Sequence, residues 1–277
     1  MAVHTCLLFA SVVDIVTSLW VYFARDMSFS TLAKAMYFPG VLSLAFVDDI
    51  GAFLRQIIGT QAVGRVIKAS RSLIFLNKEV FTCVVYSGAA VALTYLLVYG
   101  CVGLGVGLGW TAKSQPASIP AQNHISITGF LRAAGEEIGW RCYLLPCLMS
   151  HFTPQMALLI SGIAWGLFHV AVMILLTKKL KPEHPVRTTV VQCLSCVISA
   201  YPHGWLAIKA RYSFWPSTLL HFWWNRLNPQ VLGSIYTNTP GTYCGPQWKI
   251  NGEGLSGCVV MLPIALLMSL ELNHALY

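Results

Sequence analysis

Charge is scarce in this sequence. Only 10% of its 277 residues are Asp, Glu, Lys or Arg, and only ten are acidic. Soluble domains carry about 25%. A water-facing surface needs charge to stay solvated, so a soluble globule of this size is disfavoured. The apolar share is 56% and the mean hydropathy is +0.64. Lipid is the solvent that such a composition suits.

Other things are missing too. The first five residues contain no Lys or Arg, so the start does not read as a cleaved signal peptide. There is no internal repeat and no low-complexity tract. The nine cysteines have no regular spacing, and an odd count does not suggest a disulfide framework. Cys193 and Cys196 have redox-motif spacing but lie in an apolar stretch without a second pair. Cysteines there behave as small hydrophobes. The net charge of +8 comes from Lys and Arg between apolar runs, such as Arg65, Lys68, Arg71, Lys178, Lys179 and Lys181. Loops flanking membrane spans collect such residues for orientation, so nucleic acid is not the expected partner.

Long apolar runs are what the sequence does have. Residues 6–24 form a first retained span, although Asp14 lies inside it. Residues 36–54 form a weaker one, with Pro39 near its start and Asp48 and Asp49 near its end. Residues 55–79 are basic and mixed, as in an amphipathic surface helix or cytoplasmic loop. Further spans are expected at 80–110, 125–150, 155–177, 188–207, 215–232 and 255–272. The expectation is an all-α, polytopic membrane bundle of about seven to eight transmembrane helices. Residues 1–124 supply N-terminal helices and the basic segment, and 125–275 the motif-bearing core, in one integrated membrane domain.

Several polar residues break the apolar pattern. Gly135-Glu136-Glu137-Ile138-Gly139-Trp140-Arg141 places three charges in an otherwise apolar helix, and Arg132 adds a fourth. An ionised residue at mid-bilayer costs about 2.5–3.5 kcal/mol on insertion scales. Glu137 and Arg141 are four apart and share a helix face, as do Arg132 and Glu136, so each pair can neutralise itself. Four apolar residues would cost less than two buried pairs, so pairing alone does not account for them. His169 ends Trp165-Gly166-Leu167-Phe168-His169. His221 and Asn225 are four apart and point to one side of a helix. His203 and His184 lie near loops and look ordinary.

Together these residue types suit peptide hydrolysis without a serine or cysteine nucleophile. A carboxylate and an imidazole can orient and deprotonate a water. A His and an Asn offer two donors where an oxyanion forms. Arg141 can hold one carboxylate ionised and fixed.

Glu-Glu-x-x-x-Arg at 136–141, Phe-His at 168–169 and His-x-x-x-Asn at 221–225 resemble the three motifs of the CPBP (Abi) intramembrane peptidases. That family includes the type II CAAX prenyl endopeptidases. The likeness extends through Leu144-Leu145-Pro146, Gly204-Trp205-Leu206 and Trp215-Pro216 and covers roughly residues 125–275. The resemblance implies an integral membrane endopeptidase. Glu136 would be the general base, working with His169 on the attacking water. Glu137 would support the site, held by Arg141, and His221 and Asn225 would bind the oxyanion. No cofactor is then required. The alternative is zinc on Glu136, His169 and His221, although Asn is a poor zinc ligand and no His-Glu-x-x-His is present.

The implied partners are the lipid bilayer and a peptide or protein entering from the membrane, with prenylated proteins among the candidates. The implied location is a multi-pass membrane site, endoplasmic reticulum if eukaryotic and plasma membrane if bacterial. The Glu-Ile-Gly-Trp-Arg wording resembles the broad prokaryote-type branch, so prenylated substrates do not transfer with the likeness. Immunity or scaffold proteins share the family, and a transporter is a rival class that also uses membrane carboxylates and His.

Overall fold

The computed structural model describes residues 3–58, 78–113 and 126–274. Most of the basic segment expected at 55–79, and the greater part of the loop before residue 126, lie outside them. The chain is helical nearly throughout. In order come α1 (Val3–Phe23), the short α2 (Phe29–Leu32), a 3-10 turn (Ala33–Tyr37), α3 (Phe38–Ser43) and α4 (Ile50–Ile58). Then follow α5 (Lys78–Gly107), α6 (Ile127–Glu137), a π-helical stretch (Ile138–Leu144) and α7 (Leu145–Met149). The chain ends with α8 (Pro154–Leu180), α9 (Pro185–Lys209), α10 (Phe214–Leu232), α11 (Gln247–Ile250) and α12 (Leu255–His274). Two two-residue strands, Ala112–Lys113 and Tyr243–Cys244, pair antiparallel and tie the loop after α5 to the loop after α10.

Four helical segments are long and apolar enough to cross a membrane: Val3–Phe23, Val80–Gly107, Pro154–Leu180 and Gln247–Asn273. Leu7, Leu8, Ile163, Leu167, Leu266 and Leu267 on them point outward, as lipid-facing side chains do. The protein is thus a multi-pass, all-α membrane bundle. The span expected at 36–54 is not one helix. Pro39 sits at the start of α3, which stops at Ser43, and Asp49 caps the next helix by accepting from Ala52 N at 2.8 Å. A proline and two acids in nineteen residues leave only short pieces, none able to span a bilayer.

The core gathers around the motif helix. Phe9 of α1 packs edge-on against Tyr143 (centroids 4.7 Å) and Trp140 (6.0 Å), and Trp140 against Phe168 of α8 (5.7 Å). One contact was not expected: Cys6 of α1 and Cys147 of α7 form a disulfide, their Cα atoms 6.1 Å apart. The other seven cysteines, Cys193 and Cys196 among them, are free.

Helices α8 and α9 approach closely because Gly162 and Gly166 lie one turn apart on α8. A Cβ on Gly162 would come 2.8 Å from Val197 O, and one on Gly166 3.0 Å from Cys193 O. Small residues four apart permit such backbone contact in membranes. This contact brings the next turn of α8, with His169, beside Cys196 of α9, whose Sγ lies 3.6 Å from His169 Nδ1.

Candidate active site

Glu136 and Glu137 close α6 where the helix widens into its π-helical stretch. The Leu145 N–H bonds back to Trp140 O, five residues earlier. Such widened turns recur at functional sites. Gly139 makes room for the bulge: a Cβ there would lie 2.4 Å from the backbone carbon of Pro39.

Successive residues on a helix point about 100° apart, so the two glutamates part company. Glu136 is buried, and its Oε2 accepts from Trp165 Nε1 at 2.6 Å. Glu137 is also buried. Its Oε1 accepts from His221 Nδ1 at 2.8 Å, and its Oε2 lies 3.4 Å from Arg141 Nε. The expected pairing of Glu137 with Arg141 is therefore realised. The expected pairing of Arg132 with Glu136 is not. Arg132 reaches the backbone carbonyl and hydroxyl of Ser30 instead, at 3.1 and 3.0 Å. Glu136 is left without that cation.

Arg141 is fully buried, and none of its nitrogens makes a hydrogen bond among the described residues. What holds it is the Glu137 carboxylate and the face of Trp165, whose ring centroid is 4.1 Å from the guanidinium carbon. Trp165 is thus a hub. Its N–H serves Glu136, its face Arg141, and its carbonyl accepts from His169 Nδ1 at 2.8 Å. The carbonyl can only accept, so His169 carries a hydrogen on Nδ1, and in the neutral ring Nε2 is the acceptor. Trp165 attracts no attention in the sequence, yet its spacing of four from His169 already put both on one helix face.

His169 is half-buried, and Asn225 is exposed one turn beyond buried His221 on α10. Glu136, His169, His221 and Asn225 all line a cavity of about 420 Å³. Phe29, Leu32, Met36, Phe168, Val172 and Phe222 form much of its apolar wall. All six residues singled out in the sequence are accordingly gathered in one region, four on the cavity and two, Glu137 and Arg141, buried behind it.

Two further residues join them. His203 is not an ordinary loop residue: it is buried within α9, where Nδ1 donates to Ser199 O at 2.8 Å and Nε2 has no partner. Its ring lies 5.9 Å from that of His221 and 5.2 Å from that of Trp165. The signal available was its position inside an apolar helical run, next to Pro202. Glu253, in the Gly- and Asn-rich loop ahead of α12, also lines the cavity.

The convergent metal-type donor set differs from the one expected. Among the described residues, ligand atoms of Glu137, His203 and His221 lie within 4.8 Å of one another. Glu136 and His169 are not part of that set, because Glu136 turns toward Trp165 while Glu137 turns toward His221. A carboxylate with two imidazoles suits zinc by donor type, and the unpartnered Nε2 of His203 is a free donor. Arg141 beside Glu137 already supplies the neutralising charge.

Residues 123–227 match the family model described as type II CAAX prenyl endopeptidase Rce1-like. No curated protein matches the chain closely enough to count as a relative. The matched segment contains all six motif residues and His203, and it ends before Glu253.

Proposed function

We propose, on the premise that residues 123–227 belong to the Rce1-like family of CPBP-type membrane proteases, that this protein is an intramembrane endopeptidase. One observation carries the reading: Glu136, His169, His221 and Asn225, from three different helices, line a single cavity. Glu136 is the base. No ion pair within 4.0 Å engages it among the described residues, and Trp165 Nε1–H fixes one of its oxygens. The other oxygen, with the free Nε2 of His169, takes the proton of the attacking water. His221 and Asn225 donate to the oxyanion. Glu137 orients His221 through Nδ1 and helps it carry a positive charge as the oxyanion forms. Arg141 holds Glu137 in place.

The substrate reading follows from the cavity wall. Its apolar residues and its polar end suit an extended peptide delivered from lipid, and a prenylated C-terminal segment is one substrate of that kind. The bundle reaches seven crossings when the unit from α6 to α7, α9 and α10 are counted beside the four apolar spans. Those three are less apolar because they carry the site.

A second reading is favoured by the Glu137, His203 and His221 convergence. These residues would hold a zinc ion, which supplies an acidified water and a Lewis acid. It ranks second because Arg141 already lies 3.4 Å from Glu137.

The deciding experiment is peptide release by purified protein in lipid, with and without chelator. Glu136→Gln should reduce turnover by at least about a hundredfold, and His169→Ala likewise, while chelator has no effect. Full turnover in either variant rejects the mechanism. Loss of wild-type turnover in chelator, restored by zinc, selects the metal reading.

A further inference from the structure

We infer that Glu253 is a further catalytic residue, the general acid that protonates the leaving amine. The inference rests on the peptidase reading above and concerns a residue outside both the motifs and the family-matched segment. Peptide hydrolysis needs two proton transfers. Water loses one proton to a base, and the nitrogen must gain one, because an amide anion is too poor a leaving group to depart from the tetrahedral intermediate. Glu136 answers for the first transfer. Glu137 cannot answer for the second, since one of its oxygens accepts from His221 and the other faces Arg141.

Glu253 is placed with unusual care. Asn251, fully buried, accepts from Asn228 Nδ2 at 2.9 Å and donates to Gly233 O at 2.7 Å and to Gln247 Oε1 at 2.9 Å. The same Asn251 Oδ1 accepts from the Glu253 backbone N–H at 2.9 Å, and Asn228 Oδ1 from that of Gly252 at 3.0 Å. Gly257 lies so close below that a Cβ on it would meet Gly252 O at 1.6 Å. The side chain is then aimed by Trp224, whose Nε1 donates to Glu253 Oε1 at 3.2 Å. Trp224 adjoins Asn225 on the helix that carries the oxyanion donors.

Glu253 Oε2 is buried and makes no hydrogen bond of good geometry, the Tyr236 hydroxyl stands against the carboxyl, and no Lys or Arg forms an ion pair with Glu253 among the described residues. A buried carboxyl with one oxygen fixed as acceptor and no ion pair is arranged to carry a proton, because burial disfavours its charged form. Glu253 lines the larger cavity with Glu136, His169, His221 and Asn225, and a smaller adjoining one with His169, His203 and His221. Both carboxyls accept from a Trp N–H, but Arg141 acts electrostatically on Glu136 and no arginine among the described residues does so on Glu253, so one cavity holds a carboxylate suited to take a proton and a carboxyl suited to give one.

The step balances. The oxyanion's electron pair re-forms the carbonyl, the C–N bond breaks, and its electrons stay on nitrogen. Nitrogen takes the proton from Glu253 Oε2, leaving that carboxylate ionised. The proton that Glu136 took from water then passes through solvent in the cavity to Glu253, and both groups are reset.

The test compares two substrates with the same acyl part, a peptide amide and an activated aryl ester whose leaving group needs no proton. In Glu253→Gln the amide rate should fall on the order of a hundredfold or more, and the ester rate should stay within about threefold of wild type. Retained ester turnover shows in the same sample that the site is folded. Glu136→Gln should lose both activities. Equal amide turnover in Glu253→Gln and wild type overturns the inference, and so does an equal loss on amide and ester. If Glu253→Gln cannot be purified folded, Glu253→Asp is read on the same pair: a lowered amide-to-ester ratio is expected, and an unchanged ratio overturns the inference. A wild-type protein that cleaves neither substrate removes the peptidase reading itself, which is a separate failure.

Discussion

Trp165 and Glu136 face each other from neighbouring helices, the indole N–H 2.6 Å from the carboxylate oxygen. The same ring covers Arg141, and the backbone carbonyl of Trp165 accepts from His169. The side chain therefore positions Glu136 and the buried cation, while the main chain at the same residue positions the imidazole.

Replacing Trp165 with Phe separates these roles. The ring keeps a face for Arg141 and an edge for the core, while the N–H to Glu136 is lost. A hydrogen bond to a charged group contributes about 1.5–3 kcal/mol, so peptide turnover should drop roughly ten- to hundredfold. The melting temperature in detergent should move little. Turnover equal to wild type would show that Glu136 is held by other means.

Glu137 should matter more for folding than Glu136 does. Glu137→Ala leaves the guanidinium of Arg141 buried with no carboxylate at ion-pair distance. Breaking a buried pair costs about 3–5 kcal/mol, enough to lower the yield and the thermal midpoint markedly. Glu136→Gln keeps an acceptor for Trp165 and should melt close to wild type. Comparing the two melts checks the assignment: equal midpoints would contradict it.

Gly139→Ala should also be costly although it adds one methyl. Its Cβ would meet the Pro39 backbone at 2.4 Å. The main chain cannot swing aside as a side-chain tip can, so overpacking of about 1–3 kcal/mol is expected. Thermal unfolding in detergent measures it, and Gly88→Ala, where nothing lies within 4 Å, serves as the comparison.

The Cys6–Cys147 bond predicts a specific mass. Alkylation of the unfolded but unreduced protein should label the seven free cysteines and spare these two. After reduction all should react. A fully labelled unreduced sample would show that the bond does not form.

Much of this was legible in the residues themselves. The long apolar helices stand out by composition, because lipid demands uninterrupted hydrophobic length. The motif residues stand out because charge in such a setting is costly. Where the sequence misled, local signals were overruled. Residues 36–54 read as a weak span with Pro39 and Asp49 near its ends, and in the fold both act as breakers. His203 looked peripheral because it falls near the end of the helix expected at 188–207, yet the helix continues to Lys209 and the ring is buried. The disulfide and the Trp165 hub depend on tertiary proximity across more than a hundred residues in one case and on ring orientation in the other. Neither leaves a periodic trace. Glu253 was hidden by its loop, since an acid among Gly and Asn is ordinary until Asn251 and Trp224 are seen to hold it.

The contact of Gly139 with Pro39 reaches beyond one methyl group. It means that the motif helix is moulded on the short helices ahead of it, which also furnish Ser30 for Arg132, while α1 adds a covalent strut through Cys6. A fragment trimmed to the family segment would keep every motif residue and lose the mould that shapes them. Exchanging that segment between related chains should succeed only when the first 58 residues travel with it.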